Sequence, residues 1–191
     1  MTDVGDDAPL TTSKHADPAN DAAALGLEPH GDSLISRSVT INRPREELFQ
    51  FWRDFGNLPR FMDNVERVDV IDQNTSHWVV TAPGGRTVEW DAAITEERPG
   101  EYIAWASQDG ADVPNSGSIA FRDAGARGTV VTATIAYDPP GGVLGKAVAK
   151  LFQREPAIQA RRDLRRFKQL MEAGEVATSA RNRKELEEEN A

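Results

Sequence analysis

Residues 87–94 have the sequence TVEWDAAI, in which side chains alternate between two kinds. The even-numbered positions are all apolar, whereas the odd-numbered positions include two carboxylates. A period of two is typical of a β-strand that has one face buried and one face in water. This stretch therefore predicts a sheet with an apolar face that must be covered.

Similar short stretches occur along much of the chain, and turns containing Pro or Gly separate several of them. They occupy residues 34–41, 65–71, 77–82, 102–107, 119–121 and 131–137. Short strands joined by tight turns favour an antiparallel meander. We therefore predict about seven strands in one antiparallel sheet.

Two short helices are predicted between the first two strands. Asn42 is predicted to cap the first helix, Pro44 is tolerated in its first turn, and apolar side chains at helical spacing follow as far as Phe55. A second short helical turn is predicted from residue 57 to Met62. These helices would pack against the concave side of the sheet.

A long C-terminal helix completes the predicted fold. Residues 143–152 carry one apolar stripe, and the stripe resumes from Ile158 to Met171 beyond Pro156, where we expect a kink. Because sheets twist, a wide sheet cannot pack flat on one helix. The prediction is an α+β fold in which a curved sheet wraps around the C-terminal helix and leaves a space beside it.

Charge and composition divide the chain into one domain with two tails. The net charge is −9, and residues 1–31 contain six acids against one lysine with almost no large apolar side chain. We predict a disordered acidic tail at 1–31, a folded domain at 32–174 and a polar charged tail at 175–191. The domain itself is close to neutral, which argues against nucleic-acid binding.

Several classes of site are excluded by residue content. The chain contains no cysteine, and no His pair has metal-ligand spacing, so we predict no metal site and no cofactor. No run of about eighteen apolar residues is present. The N-terminus has acids where a secretion signal needs basic residues. These observations favour a cytoplasmic protein.

Five segments carry a family resemblance. They are 51–62 (FWRDFGNLPRFM), 85–90 (GRTVEW), 103–105 (IAW), 128–129 (GT) and 137–142 (YDPPGG). In this order they resemble the START-like superfamily (SRPBCC), in particular its polyketide cyclase/dehydrase and coenzyme-Q-binding group, over about residues 33–173. The resemblance implies a helix-grip fold with a cavity for an apolar or aromatic ligand, and it supplies no catalytic set.

The predicted ligand-binding residues are large apolar side chains on the inner faces of the strands and of the last helix. They are Trp78, Trp90, Trp105, Phe121, Tyr137, Leu144, Val148 and Phe152. The paired-helix segment, with Phe55, Leu58, Phe61 and Met62, is a candidate lid. Tryptophan rings stack on flat ligands and offer an indole donor. The alternative, that the tryptophans only fill the core, is left open.

No catalytic residue is predicted. Glu89 and Asp91 are paired carboxylates that could share acid and base roles, but they alternate with Trp90 and should face outward. His77 alternates with Trp78 in the same way. The sequence therefore favours binding over catalysis.

The sequence is consistent with three alternative functions. The first is binding of a hydrophobic small molecule, such as a lipid, a quinone or a polyketide-like aromatic. The second is an aromatase/cyclase or dehydratase-like enzyme. The third is a non-catalytic stress or membrane-associated accessory protein that contacts an anionic membrane weakly through Arg161, Arg162, Arg165 and Arg166. These arginines could equally form a solvated face, and a monomer and a homodimer both remain open.

Overall fold

The computed structural model describes residues 33–82, 86–137 and 156–176. The elements are β1 (Ser33–Ile41), α1 (Arg45–Arg53), a 3₁₀ helix (Phe55–Arg60), β2 (Val65–Val70), β3 (Thr75–Ala82), β4 (Arg86–Arg98), β5 (Tyr102–Ser107), β6 (Asn115–Asp123), β7 (Thr129–Tyr137) and α2 (Pro156–Ala173). This order confirms the predicted α+β fold with two short helices between the first two strands.

The seven strands form one antiparallel sheet in the order β1-β7-β6-β5-β4-β3-β2. Strands β2 to β7 form a meander, and β1 joins it at β7 with Ile41 opposite Thr129 and Ser33 opposite Tyr137. The register of β4 shifts between Ile94 and Glu96, and that of β2 shifts between Val65 and Arg67. Such bulges bend strands and increase their twist, so they help the sheet to curl.

Helix α1 begins at Arg45, directly after Pro44 in extended conformation. The prediction that Asn42 caps this helix is wrong, because Pro44 is the capping residue and makes no side-chain capping bond. The backbone N–H of Asn42 instead donates to Oε1 of Glu172 at 2.7 Å. The inner face of α1 buries three large side chains, Leu48, Phe49 and Trp52, against the sheet.

The 3₁₀ helix follows α1 with only Asp54 between them. The carboxylate of Asp54 accepts a hydrogen bond from the backbone N–H of Gly56 at 3.1 Å and so holds the first turn. Phe55 and Leu58 are buried from this helix. The segment therefore turns apolar side chains toward the concave face of the sheet.

Helix α2 packs across β1 and buries one stripe of side chains. Leu164, Phe167 and Leu170 lie in the main hydrophobic core. The Phe167 ring is 5.1 Å from Trp52 and 4.9 Å from Phe61, measured between ring centroids. The antiparallel sheet thus curls around the C-terminal helix, as predicted.

The C-terminal end of α2 is fixed to the junction between β1 and α1. The guanidinium of Arg43 donates to the carbonyl oxygens of Met171 at 2.8 Å and Glu172 at 3.0 Å. Lys168 donates to the carbonyl oxygen of Thr40 at 2.7 Å. Gly174 has a φ of 80°, a left-handed conformation that suits glycine at the end of a helix.

Within the described ranges, no helix has the length and apolar character needed to cross a lipid bilayer. The predicted acidic tail at 1–31 and the predicted apolar stripe at 143–152 lie outside the described residues, as does all of the predicted tail at 175–191 except its first two residues.

Candidate functional site

A cavity of about 160 Å³ lies between the concave face of the sheet, the helical segment after β1 and the first turns of α2. Each of the seven strands contributes at least one side chain to its wall. The chain contains four tryptophans, and all four line the cavity: Trp52, Trp78, Trp90 and Trp105. Because the wall is mostly aromatic and aliphatic, it suits an apolar molecule.

The rings of one wall touch one another in series. Trp78 and Trp90 stack with centroids 6.1 Å apart and planes 11° from parallel. Phe55 meets Trp78 edge-on at 5.7 Å and Trp105 edge-on at 5.9 Å. We call these four residues the aromatic wall. Its rings belong to the 3₁₀ helix and to strands β3, β4 and β5. The position of the wall therefore depends on how the 3₁₀ helix packs against these three strands.

Strand pairing explains why three tryptophans meet. Trp78 pairs directly with Trp90 across β3 and β4, and Trp105 pairs with Ile94 across β4 and β5. The indole Nε1 of Trp78 donates to Oγ of Ser76 at 2.9 Å and fixes that ring. Residues opposite each other in antiparallel strands share a face, so alternation along the sequence was enough to predict this side of the site.

Gly117 makes room for the Trp105 ring. The two residues are partners across β5 and β6, and a Cβ at Gly117 would lie within 2.8 Å of Cε2 of Trp105. A side chain here would therefore displace the indole. The glycine is required for close approach rather than for an unusual backbone angle.

The predicted lid residues divide into two groups. Phe55, Leu58 and Met62 line the cavity. Phe61 does not, because it is fully buried among Trp52, Phe51 and Phe167. Phe61 is therefore a core residue, which corrects its assignment to a lid.

Phe121 is also placed in the core instead of the cavity wall. It is 3% exposed and meets Phe49 of α1 edge-on, with ring centroids 5.8 Å apart. Strand alternation gave its face correctly but could not show that α1 covers that part of the face. Phe121 therefore does not line the cavity, and its part in ligand binding stays a prediction that the cavity wall does not support.

Four predicted ligand-binding residues lie wholly or partly outside the described structure. Leu144, Val148 and Phe152 fall in the undescribed range 138–155. The backbone of Tyr137 pairs with Ser33 and Asn115, but its side chain is not described. Their assignment to ligand binding stays a prediction.

The outward-facing acids and His77 form a separate cluster on the opposite face. Nδ1 of His77 is 2.7 Å from Oδ1 of Asp91, and Nε2 is 3.5 Å from Oε2 of Glu89. None of the three lines the cavity. The prediction that they face away from the tryptophans is confirmed.

The sequence analysis missed one titratable residue in the cavity wall, Asp163 of α2. Its Oδ1 accepts a hydrogen bond of 2.8 Å from Nε2 of Gln159, which also lines the cavity. Burial raises the pKa of Asp163 to about 7, and the charge of Asp63 acts in the same direction against the opposing charges of Arg166 and Arg162. At neutral pH, a substantial fraction of the protein molecules therefore has a protonated Asp163 carboxyl group.

A weak signal for Asp163 was present in the sequence. It lies three residues after Ala160 and four before Phe167, so it shares the apolar helical face. The neighbouring arginines suggested a solvated face instead. The structure shows that Arg166 pairs with Asp63, a residue distant in sequence, and this pairing could not be predicted from helical spacing.

The four arginines of the predicted membrane contact differ in exposure. Arg162 and Arg165 are exposed, whereas Arg161 and Arg166 are partly buried. Arg166 is paired with Asp63. Only Arg162 and Arg165 are exposed enough to contact a membrane without rearrangement. The membrane contact stays a prediction, with two arginines in place of four to support it.

Residues 41–165 match the model of the family described as polyketide cyclase/dehydrase and lipid transport. The chain belongs to this family. An uncharacterized 17.2 kDa protein of Streptomyces lincolnensis is 31% identical over 141 residues, which are 73% of this chain and 90% of that protein. This polyketide cyclase/dehydrase family assignment agrees with the resemblance found in the sequence.

Solved structures extend the comparison to the fold. A Deinococcus radiodurans protein is 41% identical, and the alignment covers 74% of this chain and 99% of that one with a TM-score of 0.60. A START superfamily protein of Mycobacterium smegmatis is 13% identical, with 69% and 97% of the two chains covered and a TM-score of 0.50. The second likeness concerns the fold alone, and it agrees with the predicted helix-grip architecture.

Proposed function

We propose that this protein binds a hydrophobic small molecule in the cavity between its curved sheet and α2. The observation that carries the proposal is the aromatic wall, with Trp52 beside it, around a cavity of about 160 Å³. Membership in a family of polyketide cyclases, dehydrases and lipid transport proteins supports the same class of ligand. Affinity would come from burial of apolar surface, at about 25 cal/mol per Å² before the costs of association.

The volume of the cavity limits the size of the group that it can enclose. Apolar cavities of roughly 150 Å³ accept a molecule such as benzene. The described volume is similar. The bound portion would therefore be one small ring or a short branched chain, while a longer ligand would have to continue past the described wall.

The direct test is extraction of the purified protein with organic solvent, followed by mass spectrometry. A compound present at about one molecule per chain supports binding. A binding variant and a control make the test specific: Ala160→Phe should fill the cavity, because Ala160 lines it, and should lose the compound. Val70→Ala changes a side chain that is 56% exposed and should retain it. Equal recovery from both variants would contradict the proposal.

A second candidate function is a cyclase or dehydratase-like enzyme, and Asp163 favours it. A carboxyl group in a cavity with a pKa near neutrality is suited to donate or accept a proton. Dehydration would require Asp163 to protonate a leaving hydroxyl group, which departs as water. The carboxylate so formed would then accept the proton that the neighbouring carbon loses as the double bond forms, and Asp163 would regain its starting state. The extracted compound from Asp163→Asn would then be heavier than that from the wild type by the mass of one water. The same compound from both would count against catalysis by Asp163.

A further inference from the structure

Four of the side chains that line the mostly apolar cavity are polar. Gln159 and Asp163 lie one helical turn apart on α2, and Asn64 and Asn115 reach the wall from the loop after the 3₁₀ helix and from β6. Nδ2 of Asn115 already donates to the carbonyl oxygen of Val113 at 2.9 Å. Four polar side chains in a wall that is otherwise mostly apolar indicate that the ligand is not purely hydrocarbon.

The carboxyl group of Asp163 has one oxygen engaged and one free. Oδ1 accepts from Gln159, whereas Oδ2 has no hydrogen-bond partner among the residues that the structure describes. Oδ2 is not among the buried unpaired polar atoms, so it is accessible from the cavity or from solvent. A protonated carboxyl group is a donor through its O–H, and a ligand oxygen in the cavity would accept that hydrogen bond in place of water.

Two tryptophans supply further unpaired donors. Nε1 of Trp52 and Nε1 of Trp90 are buried without a partner in the described part of the chain, and both side chains line the cavity. Trp52 is only 2% exposed. Because neither indole nitrogen is exposed to the cavity, a ligand could accept from them only after the rings move, and the carboxyl group of Asp163 is the more accessible donor.

We propose that the cavity selects an uncharged ring compound with a carbonyl-type oxygen, and that the protonated carboxyl of Asp163 donates through Oδ2 to that oxygen. This inference rests on the proposed function. It names a ketone or quinone oxygen as the acceptor. Carboxylates are disfavoured at pH values where Asp163 is ionised, because the two negative charges repel each other. Binding of the oxygen would be lost as Asp163 gives up its proton.

The charges around Asp163 set the pH range of this loss. Asp63 stands on the loop before β2, and Arg162 and Arg166 stand on α2 itself. On β1, against which α2 packs, Arg37 donates from Nη1 to the carbonyl oxygen of Ser36 at 2.7 Å. Burial and Asp63 keep the proton on Asp163 up to a pKa of about 7. The preference for a carbonyl should therefore be present at pH 6 and lost at pH 8.5.

Three probes of similar size test the inference: acetophenone has the carbonyl oxygen, cumene replaces it with a methyl group, and benzoate carries a charge. Association constants are measured by calorimetry on the full chain at pH 6 and pH 8.5. For the wild type, the ratio of acetophenone to cumene should fall about tenfold between the two pH values, the effect of losing one hydrogen bond to a buried group. An unchanged ratio overturns the inference.

Two variants separate the hydrogen bond from packing. Asp163→Asn keeps a donor at every pH, so its ratio should not depend on pH, and it should bind benzoate more tightly than the wild type at pH 8.5. Asp163→Leu should show the low ratio at both pH values while still binding cumene. If Asp163→Leu retains the wild-type ratio at pH 6, the inference is wrong.

The same series distinguishes this inference from the proposed function. If cumene binds but acetophenone gains nothing at pH 6, the cavity binds apolar ligands without the proposed selection, and only the inference fails. If neither cumene nor acetophenone binds the wild type at either pH, the proposed function fails and the inference fails with it.

Discussion

The two halves of α2 have opposite surroundings. From Leu164 onward, the inner face packs into the core and the helix end is held by Arg43 and Lys168. Before Leu164, the inner face meets a cavity and carries Gln159 and Asp163. One helix thus fixes the fold with its C-terminal half and serves the candidate site with its N-terminal half.

The contrast between the packed half and the cavity-lining half of α2 indicates where a ligand can be accommodated. Interiors are close-packed, and side chains such as Phe167 leave no space for a further molecule. Space remains only where the sheet curls away from α2 and aromatic rings line the wall instead of filling it. Changes in the two halves should therefore have separable effects on stability and on binding.

The largest effect is expected in the packed half. Phe167→Ala removes a fully buried ring that touches Phe51, Trp52 and Phe61, and should reduce the free energy of unfolding by about 3–5 kcal/mol. Ile158→Ala, at a 49% exposed position of the same helix, should change it by less than about 0.5 kcal/mol. Urea denaturation measures both. Similar losses for the two variants would contradict the division of α2.

A smaller effect, dependent on pH, is expected in the cavity half. Since the pKa of Asp163 is raised from 3.8 to about 7, the unfolded chain loses this proton first as the pH rises. The folded state then binds more protons than the unfolded state, so this contribution to stability is complete below about pH 4 and is lost by about pH 7. The direction is opposite to that of a carboxylate in a salt bridge.

Asp163→Asn isolates that contribution. The difference in free energy of unfolding between the wild type and this variant should change by up to roughly 4 kcal/mol from pH 4 to pH 8, with the variant gaining relative to the wild type. Urea denaturation at several pH values provides the measurement, and Asp109→Asn is the matched control at an exposed position that does not line the cavity. A difference independent of pH would show that Asp163 ionises normally.

The smallest effect is expected at the fixed end of α2. Arg43→Ala removes two hydrogen bonds to the carbonyl oxygens of Met171 and Glu172 and should cost about 1 kcal/mol. Amide hydrogen exchange should accelerate in residues 168–173, while ligand affinity stays unchanged. Faster exchange at Gln159 and Asp163 with none at the helix end would reverse the roles assigned to the two halves.

The sequence predicted the fold because the relevant signals are local. Alternation with a period of two placed Trp78, Trp90 and Trp105 on one face, and strand pairing then brought them together. The spacing of Leu164 and Phe167 likewise identified the buried stripe of α2. Each of these predictions needs only the geometry of one strand or one helix.

The candidate site was harder to predict because it depends on which elements meet. Phe121 was assigned to the cavity, but Phe49 of α1 covers it. Trp52 was not assigned to the ligand, yet it lines the cavity from α1. The altered ionisation of Asp163 requires its burial and the approach of Asp63, which is a hundred positions earlier. None of these contacts has a local signature.

The central claim is that a hydrophobic molecule lies against the aromatic wall. Because all four tryptophans line the cavity, the four indole N–H resonances of ¹⁵N-labelled protein report on it directly. Titration with cumene should shift the indole resonances of Trp90 and Trp105 with a single saturable affinity. It should leave in place the imidazole resonances of His77, whose side chain lies on the opposite face. Indole resonances that do not move, or shifts confined to that opposite face, would contradict the claim.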